Sequence, residues 1–180
     1  TTSVKDLKTD WIIIGWQTPG VLSRKDYAAL QVIDSLLGSG MSSRLFKNLR
    51  DKDGLAYQLG SQYSPNALKG AFIVYIGTNP ENLNYAQSRM LEEVFRLKKE
   101  FVGSKELQEA KDKLLGHYII GQETNLDKAT TIGWFEASGR GYKFDDQYAQ
   151  LINSVTESDI IEVANKYFNN NYVLSIVKPD

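Results

Sequence analysis

Arg50 and Tyr57 lie seven residues apart in the stretch Gly40-Met41-Ser42-Ser43-Arg44-Leu45-Phe46-Lys47-Asn48-Leu49-Arg50-Asp51-Lys52-Asp53-Gly54-Leu55-Ala56-Tyr57. The stretch reads as a helix, a glycine stop and a strand, so a turn between the two residues can aim both polar heads at one spot. Arginine is planar and always charged, and it donates two hydrogen bonds at once to a carboxylate or a developing oxyanion. A tyrosine hydroxyl can donate to the same oxygen. Two donors on one carbonyl oxygen make an oxyanion clamp, worth about 2.7–4 kcal/mol per donor in hydrolysis. Spacing alone leaves a plainer reading open. Arg50 would then be a helix C-terminal cation favoured by the dipole, and Tyr57 a core tyrosine on the face of Leu55 and Leu59.

The other chemical candidates are weaker. The chain has no cysteine and one histidine, His117. It cannot build an ordinary zinc, haem or iron–sulfur site by itself, and thiol catalysis and disulfides are excluded. His117 lies at the edge of an apolar helical stripe and reads as a partly buried structural histidine. No Ser/His/Asp arrangement is readable around it. Gly38-Ser39-Gly40 looks like half of a phosphate loop, but no Lys-Ser/Thr follows and it joins two helices, so it reads as a turn. Glu92-Glu93 and Lys98-Lys99-Glu100 read as a solvated helix face. Asp145-Asp146 and the carboxylates of Asp51 and Asp53 read as caps and surface groups.

The elements that must position these residues follow from hydrophobic period and punctuation. Trp11 to Trp16 is a continuous apolar run, expected to be a buried strand closed by Thr18-Pro19-Gly20. Ser23 with Asp26 looks like a capping box. The helix after it carries Tyr27, Leu30, Ile33, Leu36 and Leu37 on one stripe and stops at Gly38-Ser39-Gly40. Ser42 or Ser43 can cap a second helix, with Leu45, Phe46 and Leu49 inside and Asp53-Gly54 at its end. Leu55 to Tyr63 alternates as a half-exposed strand. Ala71 to Gly77 is apolar on both faces and forms a hairpin with it. Helices are expected after Asn79-Pro80, from Ser104, over Asn125 to Ser138, over Phe144 to Asn153, and after the capping box Thr156-Glu157-Ser158-Asp159. Tyr172 to Val177 is a last strand, closed by Pro179. A hairpin surrounded by helices predicts an α+β fold, an antiparallel or mixed sheet with helices packed on one face.

Bulk properties bound the class. The length of 180 residues fits a single domain spanning 1–180. The 21 Lys and Arg nearly balance the 22 Asp and Glu, for a formal charge of -1, so nothing draws the chain to nucleic acid or anionic lipid. No apolar run approaches the ~18 residues that a membrane helix needs. The lack of cysteine fits a cytosolic protein. Thr1-Thr2-Ser3-Val4-Lys5-Asp6 has neither a starting methionine nor a signal-peptide core, which predicts a fragment of a longer protein.

The block Met41-Ser42-Ser43-Arg44-Leu45-Phe46, Leu49-Arg50 and Gly54-Leu55-Ala56-Tyr57 resembles the C-terminal half-domain of the pitrilysin/insulinase-type zinc metallopeptidases. These inverted-motif enzymes include the mitochondrial processing peptidases. The resemblance extends along the chain, through Gly15-Trp16, Leu36-Leu37-Gly38, Gly70-Ala71-Phe72 and the closing strand. It implies two homologous halves facing each other like a clamshell. One half carries a His-x-x-Glu-His helix that binds zinc, and the peptide substrate adds as a strand to that half's sheet. The other half supplies an arginine and a tyrosine toward the scissile carbonyl, at positions that match Arg50 and Tyr57. With one histidine this chain holds no such motif, so the resemblance puts the zinc in a partner half or subunit. It also makes the chain the C-terminal half of a peptidase, inactive alone. The alternative is a non-catalytic structural or peptide-binding subunit of a larger complex, and a half with its partner surface open is expected to pair with itself as a homodimer.

Overall fold

A computed structural model describes residues 9–178. Pro179, expected to close the last strand, and Thr1 to Asp6 lie outside the described residues. The order is β1 (Asp10–Pro19), α1 (Arg24–Leu37), a π-helical segment Phe46–Lys52, β2 (Gln58–Pro65), β3 (Lys69–Thr78), a 3-10 turn Pro80–Asn82, α2 (Leu83–Arg96), α3 (Ser104–Ile120), α4 (Asn125–Ala137), α5 (Phe144–Asn153), α6 (Glu157–Tyr167) and β4 (Val173–Val177).

The four strands form one antiparallel sheet in the order β2-β3-β1-β4. β1, the apolar run, is central and pairs with both β3 and β4, with Ile13 opposite Tyr75 on one side and Ser175 on the other. The pleat sends successive side chains to opposite faces. Ile12, Ile14 and Trp16 are buried, whereas Ile13 between them is 39% exposed. The helices therefore cover one face only, as the α+β reading expects. Trp16 anchors the far end: its Nε1 donates to the Asn169 carbonyl at 2.8 Å, and its ring meets Phe168 edge-on at 5.3 Å.

α1 is the hub of the helical layer and packs on β2, α3, α5 and α6. Its inner stripe, including Leu30, Ile33 and Leu37, is fully buried. Its start departs from the expected capping box. Ser23 is the N-cap but makes no side-chain cap bond, and the Asp26 carboxylate that would complete the box is engaged elsewhere. The Asp26 carboxylate accepts from Lys166 Nζ at 2.6 Å and Tyr167 Oη at 2.5 Å, tying α1 to α6. The second expected box is present: Thr156 and Asp159 bond reciprocally at the start of α6. A further box, Thr124 with Asp127, starts α4. Ser104 is the first residue of α3, and Gly103 occupies the cap position.

Two charge assignments are corrected. Glu93 is 1% exposed and accepts from Arg96 Nη1 at 3.1 Å, so it is the buried member of a partly exposed ion pair and not part of a solvated face. His117 sits on the exposed side of α3, not partly buried. None of the described helices is long and apolar enough to cross a membrane.

Candidate functional site

The segment that carries Arg50 is helical, as expected, but it is wound as a π-helix. Asp53 N bonds Asn48 O at 3.0 Å, five residues back, and Leu55 N bonds Leu49 O at 2.8 Å. Single π turns of this kind are rare and concentrate at functional sites. Leu45 and Leu49 face the core and are 1% and 0% exposed. The same winding leaves Arg50 on the surface, with its guanidinium carbon 4.5 Å from the centre of the Phe46 ring.

The turn between Arg50 and Tyr57 is held at several points. Gly54 adopts φ +64°, a left-handed conformation that a side chain disfavours. Thr78 Oγ1 donates to the Leu55 carbonyl at 2.8 Å and fixes the turn to the end of β3. Asp53 accepts from Arg89 Nε at 2.8 Å, so it is a tether to α2 and not a free surface carboxylate. That bond, with Glu92, raises the Arg89 pKa further above its ordinary value. β2 begins at Gln58, later than the expected Leu55. Tyr57 consequently stands just ahead of the strand and is 90% exposed. The core-tyrosine reading of Tyr57 is thereby overturned.

The structure brings the two residues together. Arg50 Nη1 donates to the Tyr57 main-chain carbonyl at 3.4 Å. Both side chains line one open cleft of about 310 Å³, together with Gly40, Met41, Phe46 and Tyr75. Tyr57 also lines a neighbouring hollow of about 240 Å³, shared with Trp11, Leu55, Thr78 and Asn79. Arg50 forms no ion pair among the described residues. Its remaining donors can therefore meet an incoming carbonyl or carboxylate.

The opposite wall of the cleft is the Gly38-Ser39-Gly40 turn. Gly40, at φ +74°, is the left-handed residue, whereas Gly38 is needed for space. A Cβ on Gly38 would collide with the Ser61 main-chain nitrogen and hydroxyl. Asp34, one turn earlier, accepts from Ser61 Oγ at 2.5 Å and from Tyr63 N at 3.1 Å. Burial pushes the Asp34 carboxyl above the usual carboxylate range. From α3, Lys113 Nζ donates to the Ser39 carbonyl and to Ser42 Oγ at 3.2 Å. Burial, then the nearby Lys47, lowers its pKa. Sequence reasoning missed Lys113. The available signal was its position one turn after Ala110, on the inner stripe of α3.

Among the described residues, no group of three or more His, Cys, Asp and Glu side chains converges to hold a metal ion. The arrangement offers hydrogen-bond donors and an aromatic rim around an open cleft.

Residues 1–114, more than half of the chain, match the family model described as the peptidase M16 inactive domain. The chain belongs to this family. It is 30% identical over 176 residues to a Rickettsia felis protein named as an uncharacterized zinc protease. The match covers 98% of this chain and 42% of that protein. A protease structure from Helicobacter pylori superposes with a TM-score of 0.87 at 26% identity, over 99% of this chain and 43% of that one. An inactive peptidase domain from Bordetella parapertussis has the same fold and the same extent. Its TM-score is 0.83 at 16% identity, over 99% of this chain and 98% of that one. The chain thus spans about two fifths of the length of the curated relatives it matches.

Proposed function

We propose that this chain is the substrate-engaging half of a zinc-dependent endopeptidase, with Arg50 and Tyr57 as its contacts to the peptide. The observation that carries the reading is their joint exposure on one cleft, with Arg50 bonded to the turn that bears Tyr57. A partner half or subunit with a His-x-x-Glu-His helix would complete the enzyme and hold the zinc. When bound there, the zinc supplies Lewis-acid polarisation and an activated water. This chain contributes hydrogen bonding. The Arg50 guanidinium holds a peptide carbonyl through its planar fork. The Tyr57 hydroxyl, standing in solvent, donates to the scissile carbonyl oxygen as charge develops on it.

The test is Tyr57→Phe in the assembled enzyme. Loss of one oxyanion donor lowers kcat by about two orders of magnitude, with a much smaller change in KM. An unchanged kcat removes the oxyanion role. Metal analysis of the 180-residue chain by itself is the companion measurement. A stoichiometric, tightly held zinc there would contradict the division of labour between halves.

In the second reading the chain is a non-catalytic structural or peptide-binding subunit, which is consistent with the description of its family as an inactive domain. Peptide binding that depends on Arg50, with no hydrolysis in any assembly, would establish it. In either reading the half can also associate with itself.

A further inference from the structure

The two edges of the sheet are treated differently. At the β2 edge, Asp34 takes the outward Tyr63 N–H, and Gly38 lies against the Ser61 main chain, so α1 closes that edge. The other edge is β4, and among the described residues nothing pairs with its free side. Every β4 residue is exposed. Val173 and Val177 are 75% and 40% exposed on the face shared with Trp11 and Gly15. Leu174 and Ile176 are 38% and 36% exposed on the face shared with Ile14 and Ile12. Soluble proteins guard such edges with charges, prolines or bulges. Here no charged residue occurs between Lys166 and Lys178.

The strand reads Val173-Leu174-Ser175-Ile176-Val177, which is nearly the same in both directions. Antiparallel pairing of two copies about Ser175 sets Val173 opposite Val177 and Leu174 opposite Ile176. Every apolar residue then meets an apolar residue on the same face, and the one polar residue meets itself. Such self-complementarity is what a two-fold, isologous contact requires. A one-residue slip would oppose Ser175 to a large aliphatic side chain and lose the match. We infer that β4 is an interface strand, pairing antiparallel across a two-fold axis through Ser175 with β4 of a second copy of this chain. The pairing makes one continuous sheet of eight strands from the four of each copy. Arg50 and Tyr57 flank β2, at the opposite edge, so both clefts stay open. The inference does not depend on the peptidase reading.

The test uses the cysteine-free chain. Directly opposed residues in an antiparallel pair have Cα atoms about 4.5–5.5 Å apart, within the span a disulfide bridges. Ser175→Cys is therefore expected to give a covalent dimer under mild oxidation, with Lys105→Cys, at an exposed α3 position, remaining monomeric under the same conditions. Val173→Cys and Val177→Cys cross-link when mixed, and neither does so alone. By sedimentation, the unmodified chain is a dimer at high micromolar concentration. Ser175→Lys and Ser175→Glu each weaken it about fivefold through like charges placed opposite one another, and their mixture restores it. A monomeric unmodified chain overturns the inference. So does a dimer that Ser175→Lys leaves intact, or a Ser175→Cys chain that cross-links no faster than the Lys105→Cys control.

Discussion

The Arg50 guanidinium donates to the main-chain carbonyl of Tyr57, not to its hydroxyl. The two residues are thus joined through the backbone of the turn, and both functional heads are left to solvent. At 3.4 Å, on an exposed pair, this bond contributes well under about 1 kcal/mol. Arg50→Ala is therefore expected to lower Tm by no more than about 2 °C. Its effect falls on the site: peptide affinity drops about tenfold or more, the loss of a charge-assisted bond. Arg50→Lys keeps the charge but loses the fork and the guanidinium's place over the Phe46 ring, so it recovers only part of that loss. A titration of peptide into the chain, beside a melting curve, reads both. A large fall in Tm with unchanged affinity would make Arg50 purely structural.

Gly54 tests whether the turn sets the position of Tyr57. A side chain has room there, since nothing lies within 4 Å of where a Cβ would stand, so the φ of +64° is the sole obstacle. The expected cost of Gly54→Ala is about 1–2 kcal/mol, and Gly54→Asn costs less because asparagine tolerates the left-handed region. Hydrogen exchange of the Leu55 amide, bonded to Leu49 O at 2.8 Å, speeds up in Gly54→Ala and stays slow in Gly54→Asn. Equal destabilisation by both would point to a steric cause instead.

Much of this arrangement was legible in the chain. The apolar run Trp11 to Trp16, the hairpin and the Thr156 box all carry local signals; the run and the box appear where they were expected, and the hairpin forms with β2 beginning at Gln58. The site residues were readable as a spaced pair, but their exposure was not. The π winding depends on which carbonyl each amide reaches, and side-chain periodicity over seven residues does not resolve that. Starting β2 at Leu55 in place of Gln58 put Tyr57 on the inner face, and the error disappears once Thr78 is seen to bind the Leu55 carbonyl. The false box at Ser23 has the same origin. Asp26 has the right spacing for a cap, yet its partners are 140 and 141 residues away. The partners of Lys113 and the burial of Glu93 were likewise set by tertiary packing.

Gly38 and Gly116 give opposite expectations for the same substitution. Gly38→Ala drives a Cβ into the β2 main chain, onto the Ser61 nitrogen and to 2.6 Å from the Gly60 carbonyl carbon. Overpacking against backbone costs about 1–3 kcal/mol or more. Gly116 lies inside α3 with nothing within 4 Å of an added Cβ. There alanine restores helix propensity and stabilises by about 1 kcal/mol. Urea melts of the two variants should move in opposite directions. A neutral Gly38→Ala would show that the turn at the cleft wall can shift away from β2.

Glu106 predicts a pH dependence. Its carboxylate receives Arg44 Nε at 2.8 Å and Nη2 at 2.7 Å. The Arg44 bond holds its pKa below the ordinary value, against an opposing effect of burial. As pH falls, the unfolded chain takes up this proton before the folded one. The contribution is therefore complete above the ordinary carboxylate value of about 4.3 and is lost as pH drops through the lower folded value. The carboxylate side chain is 40% exposed, so screening keeps the effect modest. Arg44, 11% exposed and with Nη1 already lacking a partner, suffers from losing the charge opposite it. Glu106→Gln is expected to be less stable near neutral pH by about 1 kcal/mol. Its stability should converge on that of the unmodified chain as pH drops below the lowered folded value of Glu106, where Arg44 faces a neutral side chain in both proteins. Denaturant melts across this range decide the matter, because parallel curves for the two proteins would mean that the ion pair contributes through packing and not through charge.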